Sequence, residues 1–173
     1  MTDASAPAAS PDTPRHALHA SVRRVAIVVN PLSGGVGPQA AAAQLAATIA
    51  RADQGAGFAC VRIYTTPQPA SIAVPRTDAP QAELVLLKPC ASIVDGVLVM
   101  HPRDVEGTLV MSTGLPRWAD WVAADGSIIA TSNCTDAANG GGWQLEGGET
   151  PAGETSPLLY AGGLVQLGET ALT

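Results

Sequence analysis

The chain has 173 residues, a net charge of −6, and nine Lys and Arg residues, among which Lys88 is the only lysine. That balance lacks the clustered cations of a nucleic-acid-binding surface, since Arg23-Arg24 is the densest basic pair, and it disfavours anionic membrane surfaces for the same reason. Hydrophobic residues make up 46% of the sequence, but aromatics are limited to three Trp, two Tyr and one Phe, so one domain must be built around a largely aliphatic core.

Residues 1–21 are low-complexity Ala, Ser, Pro and Asp, too poor in apolar surface to offset their ordering entropy, and are expected to form a flexible arm. No basic-then-apolar leader is visible there, and the apolar run 25–29 is too short to span a bilayer. His16 and His19 fall in the arm, which makes them poor metal ligands. Residues 22–30, VRRVAIVVN, read as a strand that ends at Asn30-Pro31, followed by a glycine loop over 31–38. The Ala-rich segment 39–53 predicts a helix with Pro38 near its first turn and Gly55 and Gly57 beyond its end. Leu45, Ile49 and Ala52 recur at i, i+4 and i+7, giving one face that can pack on a sheet.

From Phe58 the pattern changes to short strands. Residues 58–66 alternate, with Cys60, Arg62 and Tyr64 on one face and Val61 and Ile63 on the other. A proline-punctuated loop covers 70–80. Strands are expected at 83–87, bounded by Pro89, at 94–100, interrupted by Asp95-Gly96, and at 107–112. In 118–133, WADWVAADGSIIATSN, two Trp-, Val- and Ile-rich runs flank Asp125-Gly126, a dipeptide that accepts positive φ at both central turn positions and so predicts a hairpin. A flexible loop at 136–142, a short strand at 143–146, a polar Gly/Pro/Glu segment at 147–157, and strands at 158–160 and 164–172 complete the chain. About seven to nine strands with turn signals roughly every eight to twelve residues are a sandwich or barrel signature. The expected fold is mainly β: an antiparallel, jelly-roll-like β-sandwich over 58–173, preceded by a strand, glycine loop and helix over 22–57 and the flexible arm.

Candidate chemistry is sparse. Cys60, Cys90 and Cys134 form no C-x-x-C and no zinc spacing with the histidines, and are read as buried thiols of a reducing compartment. Asn133-Cys134-Thr135 fits a glycosylation sequon but has no secretory signal to go with it. His101 is the one histidine of the β region, no G-x-S-x-G elbow is present, and 136–142 lacks the alternating acidic ligands of a calcium loop. The strand–glycine loop–helix at 25–53 has the geometry that cradles phosphate. Asn30-Pro31 and Ser33-Gly34-Gly35, with Gly37, resemble the nucleotide-binding opening of the diacylglycerol and sphingosine kinase superfamily. That resemblance ends after about a dozen residues, because the Gly-Gly-Asp-Gly-Thr segment and the Walker lysine are both absent. Trp118 and Trp121, at i and i+3 of one strand, are expected on opposite faces. We read Trp118 as the core anchor and Trp121 as a contact for the helix or a neighbouring subunit.

One resemblance covers most of the chain. The Ala-rich helix runs into Ala52–Gly57, then into Arg62-Ile63-Tyr64-Thr65-Thr66-Pro67-Gln68-Pro69-Ala70, a Leu-rich strand at 83–87, and an apolar strand of Thr, Val and Met. The Trp-bearing strand, the Asp-Gly turn at 118–129 and an Ala-Gly-Gly-led strand at 161–166 follow. In order and spacing this is similar to small virion-associated proteins of tailed phages and prophages; residues 1–32 and the longer 146–157 segment depart from the pattern. The resemblance implies a non-enzymatic structural protein of the virion, on the tail or decorating the head, assembled with itself and with other virion proteins. It carries no catalytic residue across; together with the charge balance and the residue spacings above, no cofactor, metal, nucleic-acid or membrane partner is expected, and the assembly and core candidates are Trp118, Trp121 and Tyr64. Two alternatives remain from the residues themselves: phosphate or nucleotide binding by Ser33, Gly34, Gly35 and Gly37, and carbohydrate binding by an exposed Trp118, Trp121 or Trp143.

Overall fold

A computed structural model describes residues 25–27 and 37–168. The elements are β1 (Val25–Ile27), α1 (Pro38–Ala52), β2 (Cys60–Tyr64), β3 (Ala82–Val94), β4 (Val97–Pro102), β5 (Thr108–Leu109), β6 (Trp118–Val122), β7 (Ile128–Thr135), β8 (Trp143–Glu146) and β9 (Leu164–Leu167). The expected arm, and the loop residues Ser33, Gly34 and Gly35, lie outside the described residues.

The fold is mainly β, as the strand spacing predicts. Among the described residues nine strands join in the order β1-β4-β3-β2-β6-β7-β8-β9-β5. The ladder curls on itself, so that Met111 N–H, just past β5, donates to Gln81 O at the start of β3 at 2.8 Å. All pairings are antiparallel except β7 with β8, where Cys134 faces Trp143 and Thr135 faces Gln144. Strand spacing carries no information about that one parallel pair. The core inside the curl combines Val61, Ile63, Leu84, Leu86, Leu98, Met100, Trp121, Trp143 and Leu145 with Leu45 and Ala52 of α1. Ile49 packs half-buried against it, so the expected helix face is the one used. Because β1 pairs with β4 and α1 adds to this core, the block expected at 22–57 is continuous with the sheet.

The helix end is tied down on two sides. Arg51 donates to Asp125 at 2.9 Å, and Ala124 N–H donates to Ala52 O at 2.8 Å, which fixes the helix to the β6–β7 turn. On the other side the Asp53 carboxylate accepts Cys90 N–H at 3.1 Å, and Lys88 Nζ donates to Gly55 O at 2.6 Å.

The two Asp-Gly pairs exchange the roles their surroundings predict. Asp95 and Gly96, expected as an interruption within a strand, form the two-residue β3–β4 turn, with φ of 53° and 80° and Val94 paired to Val97. These are the mirror-image turn angles that match strand twist. At the Trp hairpin only Gly126 has positive φ, 89°. There Gly126 N–H donates to Ala123 O and Ala123 N–H to Ser127 O, so the loop is longer and carries a left-handed glycine at its end. A register shift between Trp121 and Val122 absorbs the difference. Pro89 does not end β3 as expected: the strand runs 13 residues, and its ladder to β4 shifts register between Leu86 and Ala91. The expected strands at 107–112 and 158–160 shrink to β5 and to bridges of Leu158 and Leu159.

Candidate functional site

The β2–β6 pair separates two environments. Alternation sends Val61, Ile63, Ala119 and Trp121 into the main core. The same alternation puts Arg62, Tyr64, Trp118 and Asp120 on the outer face, where Tyr64 lies across from Trp118 and Arg62 across from Asp120. Thus Trp118 and Trp121 do occupy opposite faces. Both are buried, however, with 2% of each side chain exposed, and it is Trp121 that belongs to the core cluster with the helix residues. Trp118 is outside that cluster and is covered by its own chain.

The cover is built from few parts. Tyr64 stacks on Trp118 with ring centroids 4.2 Å apart and planes 13° from parallel. Trp118 Nε1–H donates to Thr66 O at 2.8 Å. The Arg76 guanidinium lies 5.1 Å from the Trp118 ring centroid, a cation–π distance. It grips Asp120 with two bonds, Nε to Oδ2 at 2.7 Å and Nη2 to Oδ1 at 3.1 Å. Thr131 on β7 donates its hydroxyl to Asp120 Oδ1 and sits 3.4 Å from Arg76 Nη2. The Asp120 side chain is 0% exposed and that of Arg76 13%. The bonds to Asp120 hold Arg76 firmly in its charged form, and burial, followed by the Asp120 charge, pushes the Tyr64 phenol up. Chemically this is a buried ion pair in which a two-oxygen acceptor, a hydroxyl and an indole face match the planar guanidinium of Arg76.

The sequence carries one cue to this site. Asp120 lies between two Trp residues in an alternating strand, so it must share Trp118's buried face and needs a cation there. Arg76, 44 residues away in a loop, has no periodicity to place it.

A second feature lies at the sheet's β5 edge. Leu109 and Leu164 are Cα partners across β5 and β9 and are 51% and 49% exposed. Met111 at 69% and Tyr160 at 61% project from the adjoining stretches, and Val105 at 74% precedes β5.

Other candidates have structural occupations. Gly37 caps the N-terminus of α1 without a side-chain cap. His101 Nδ1–H donates to Pro89 O, and its Nε2 pairs with Ser92 Oγ, each at 3.0 Å. The Asp136 carboxylate accepts from Thr150 and then Asn139, bonds that lower its pKa, and the Asn139 bond closes the 136–142 loop. Burial pushes the Cys60 thiol up to about 11 and Cys90 to about 12, and raises Cys134 as well, so all three are buried thiols far from a thiolate nucleophile. Trp143 is fully buried and donates to Ala119 O at 3.0 Å. None of the three indoles therefore offers a free face to a sugar. Among the described residues there is no group of three or more His, Cys, Asp or Glu side chains placed to hold a metal ion, and no helix long and apolar enough to cross a membrane. No family model, curated protein or solved structure matches the chain.

Proposed function

We propose that this protein is a structural component of a tailed-phage virion, acting by protein–protein assembly with copies of itself and with other virion proteins. The observation that supports assembly is the β5–β9 edge, where Leu109, Met111, Tyr160 and Leu164 are left in water on a sheet edge. Contiguous exposed apolar groups of this kind mark interaction surfaces. The likeness to virion-associated proteins in strand order and spacing supplies the biological setting.

Two measurements test the two parts separately. Sedimentation of the purified full chain should show a self-associated species that Leu109→Asp with Leu164→Asp converts to monomer while the circular dichroism spectrum is kept; a wild-type monomer at all concentrations refutes self-assembly. Mass spectrometry of purified virions should detect the chain at stoichiometric abundance. Its absence from every particle refutes the virion reading.

A further inference from the structure

The segment 67–80 meets the outer face of the sheet at β6 and β7, through Arg76, with little else holding it there. All its residues are exposed except Pro69, Arg76 and Pro80, which are half-buried. Its two large apolar side chains, Ile72 and Val74, are 49% and 44% exposed, so they do not anchor it. Its internal bonds, Val74 N–H to Ser71 O and Arg76 Nη1 to Val74 O, shape the segment without fastening it. The polar contacts that fasten it to the sheet come from Arg76, on Asp120 and Thr131. The strap has one peg.

Beneath the peg is a built site. Asp120, fully buried, presents both carboxylate oxygens; Trp118 presents a ring face braced by Tyr64; Thr131 adds a hydroxyl. At the base of the strap the Thr66 hydroxyl is buried with no partner, although its own carbonyl is bonded to Trp118. Trp118 and Asp120 of β6, Tyr64 of β2 and Thr131 of β7 are held by strand pairing to which the strap contributes nothing. A two-oxygen acceptor under an aromatic face suits a planar guanidinium with two parallel N–H donors, and suits a tetrahedral ammonium less well. Lifting the strap uncovers the Asp120 carboxylate, which then competes between water and any cation that offers two parallel donors.

We infer that the Asp120–Trp118–Thr131 seat is a guanidinium-binding site, occupied by Arg76 in the closed protein, and that an external guanidinium group competing for it releases the strap 67–80. This inference stands on the seat itself and holds whether or not the protein belongs to a virion.

The test uses the full chain with Arg76→Ala and methylguanidinium as the probe. Millimolar methylguanidinium should raise the variant's thermal midpoint saturably, by about 2–4 °C, as expected for a ligand that binds only the folded state of a chain this size. Methylammonium at equal ionic strength should not, and adding Asp120→Asn should abolish the response. A non-saturating response, or one equal for the two cations, overturns the inference. If Arg76→Ala fails to fold, the wild-type chain supplies the test by competition. Methylguanidinium should then increase deuterium uptake in 67–80 while α1 is unchanged, and no increase in 67–80 overturns the inference.

Discussion

The three indoles form an internal comparison. All are at most 2% exposed, but Trp118 Nε1–H donates to Thr66 O and Trp143 Nε1–H to Ala119 O, whereas Trp121 Nε1–H is buried without a partner. Replacing any of them by Phe removes the same atoms, forfeiting roughly 1 kcal/mol of transfer free energy and leaving a cavity that costs about 1 kcal/mol more. At Trp143 the substitution also breaks a buried hydrogen bond and strips a donor from a buried carbonyl, adding about 1–2 kcal/mol. At Trp121 it relieves an unpaired donor whose burial costs about 1–3 kcal/mol, so the terms nearly cancel. Trp143→Phe should therefore destabilise by about 3–4 kcal/mol, while Trp121→Phe should change stability by no more than about 1 kcal/mol in either direction, from sums of the same terms. Urea unfolding followed by far-ultraviolet circular dichroism, with a common slope for all variants, measures the difference. Equal losses at the two positions would refute the assignment of the unpaired donor.

The Arg76–Asp120 pair predicts strong coupling. Arg76→Ala alone should cost about 3 kcal/mol because it strands a buried carboxylate, and a cycle with Asp120→Asn should be non-additive by about 2 kcal/mol; additive losses would show the pair to be independent. Asp125 is held down to about 2 by the Ser127 N–H first, then the Ser127 hydroxyl and Arg51. A depressed carboxylate contributes stability above its unfolded pKa and loses it as pH falls through the folded value, so Asp125→Asn should flatten the acid limb of the stability curve between about pH 4 and 2. An unchanged limb would mean that the turn contacts do not favour the charged form. The three thiols should stay unreactive towards a disulfide reagent at pH 8 in the native chain, since burial raises all three, and all should react once urea unfolds it. Rapid native labelling of any of them would contradict its burial.

Local pattern was enough for parts of this fold. The alternation over 58–66 assigns the faces of β2, and the i, i+4, i+7 series assigns the buried face of α1. Both work because a period of side-chain chemistry maps directly onto one backbone geometry. Turn assignment was harder. Asp95-Gly96 and Asp125-Gly126 are the same dipeptide, yet only the first forms the mirror-image two-residue turn. The difference comes from what the second must touch: Asp125 meets Arg51 at the helix end, and Ala124 N–H bonds to Ala52 O. These contacts lie more than seventy residues away in sequence, and no local window contains them.

The same limit explains why the seat on the outer face was only half visible. A carboxylate set between Trp118 and Trp121 on an alternating strand implies a buried partner cation by desolvation alone. Which of the nine basic residues supplies it is decided by the path of a loop with few apolar anchors, and that path is itself fixed by the pairing. Cause and consequence are therefore coupled: Arg76 satisfies Asp120, and Asp120 gives 67–80 its place on the sheet. An Arg76→Lys variant separates the two roles, because it keeps the charge but loses the two-bond fork. If charge alone positions the strap, deuterium uptake in 67–80 should match wild type; if the planar fork does, uptake should rise although Asp120 still faces a cation. The second result is the one the geometry requires, and a wild-type exchange pattern in Arg76→Lys would remove the basis for a guanidinium-selective seat.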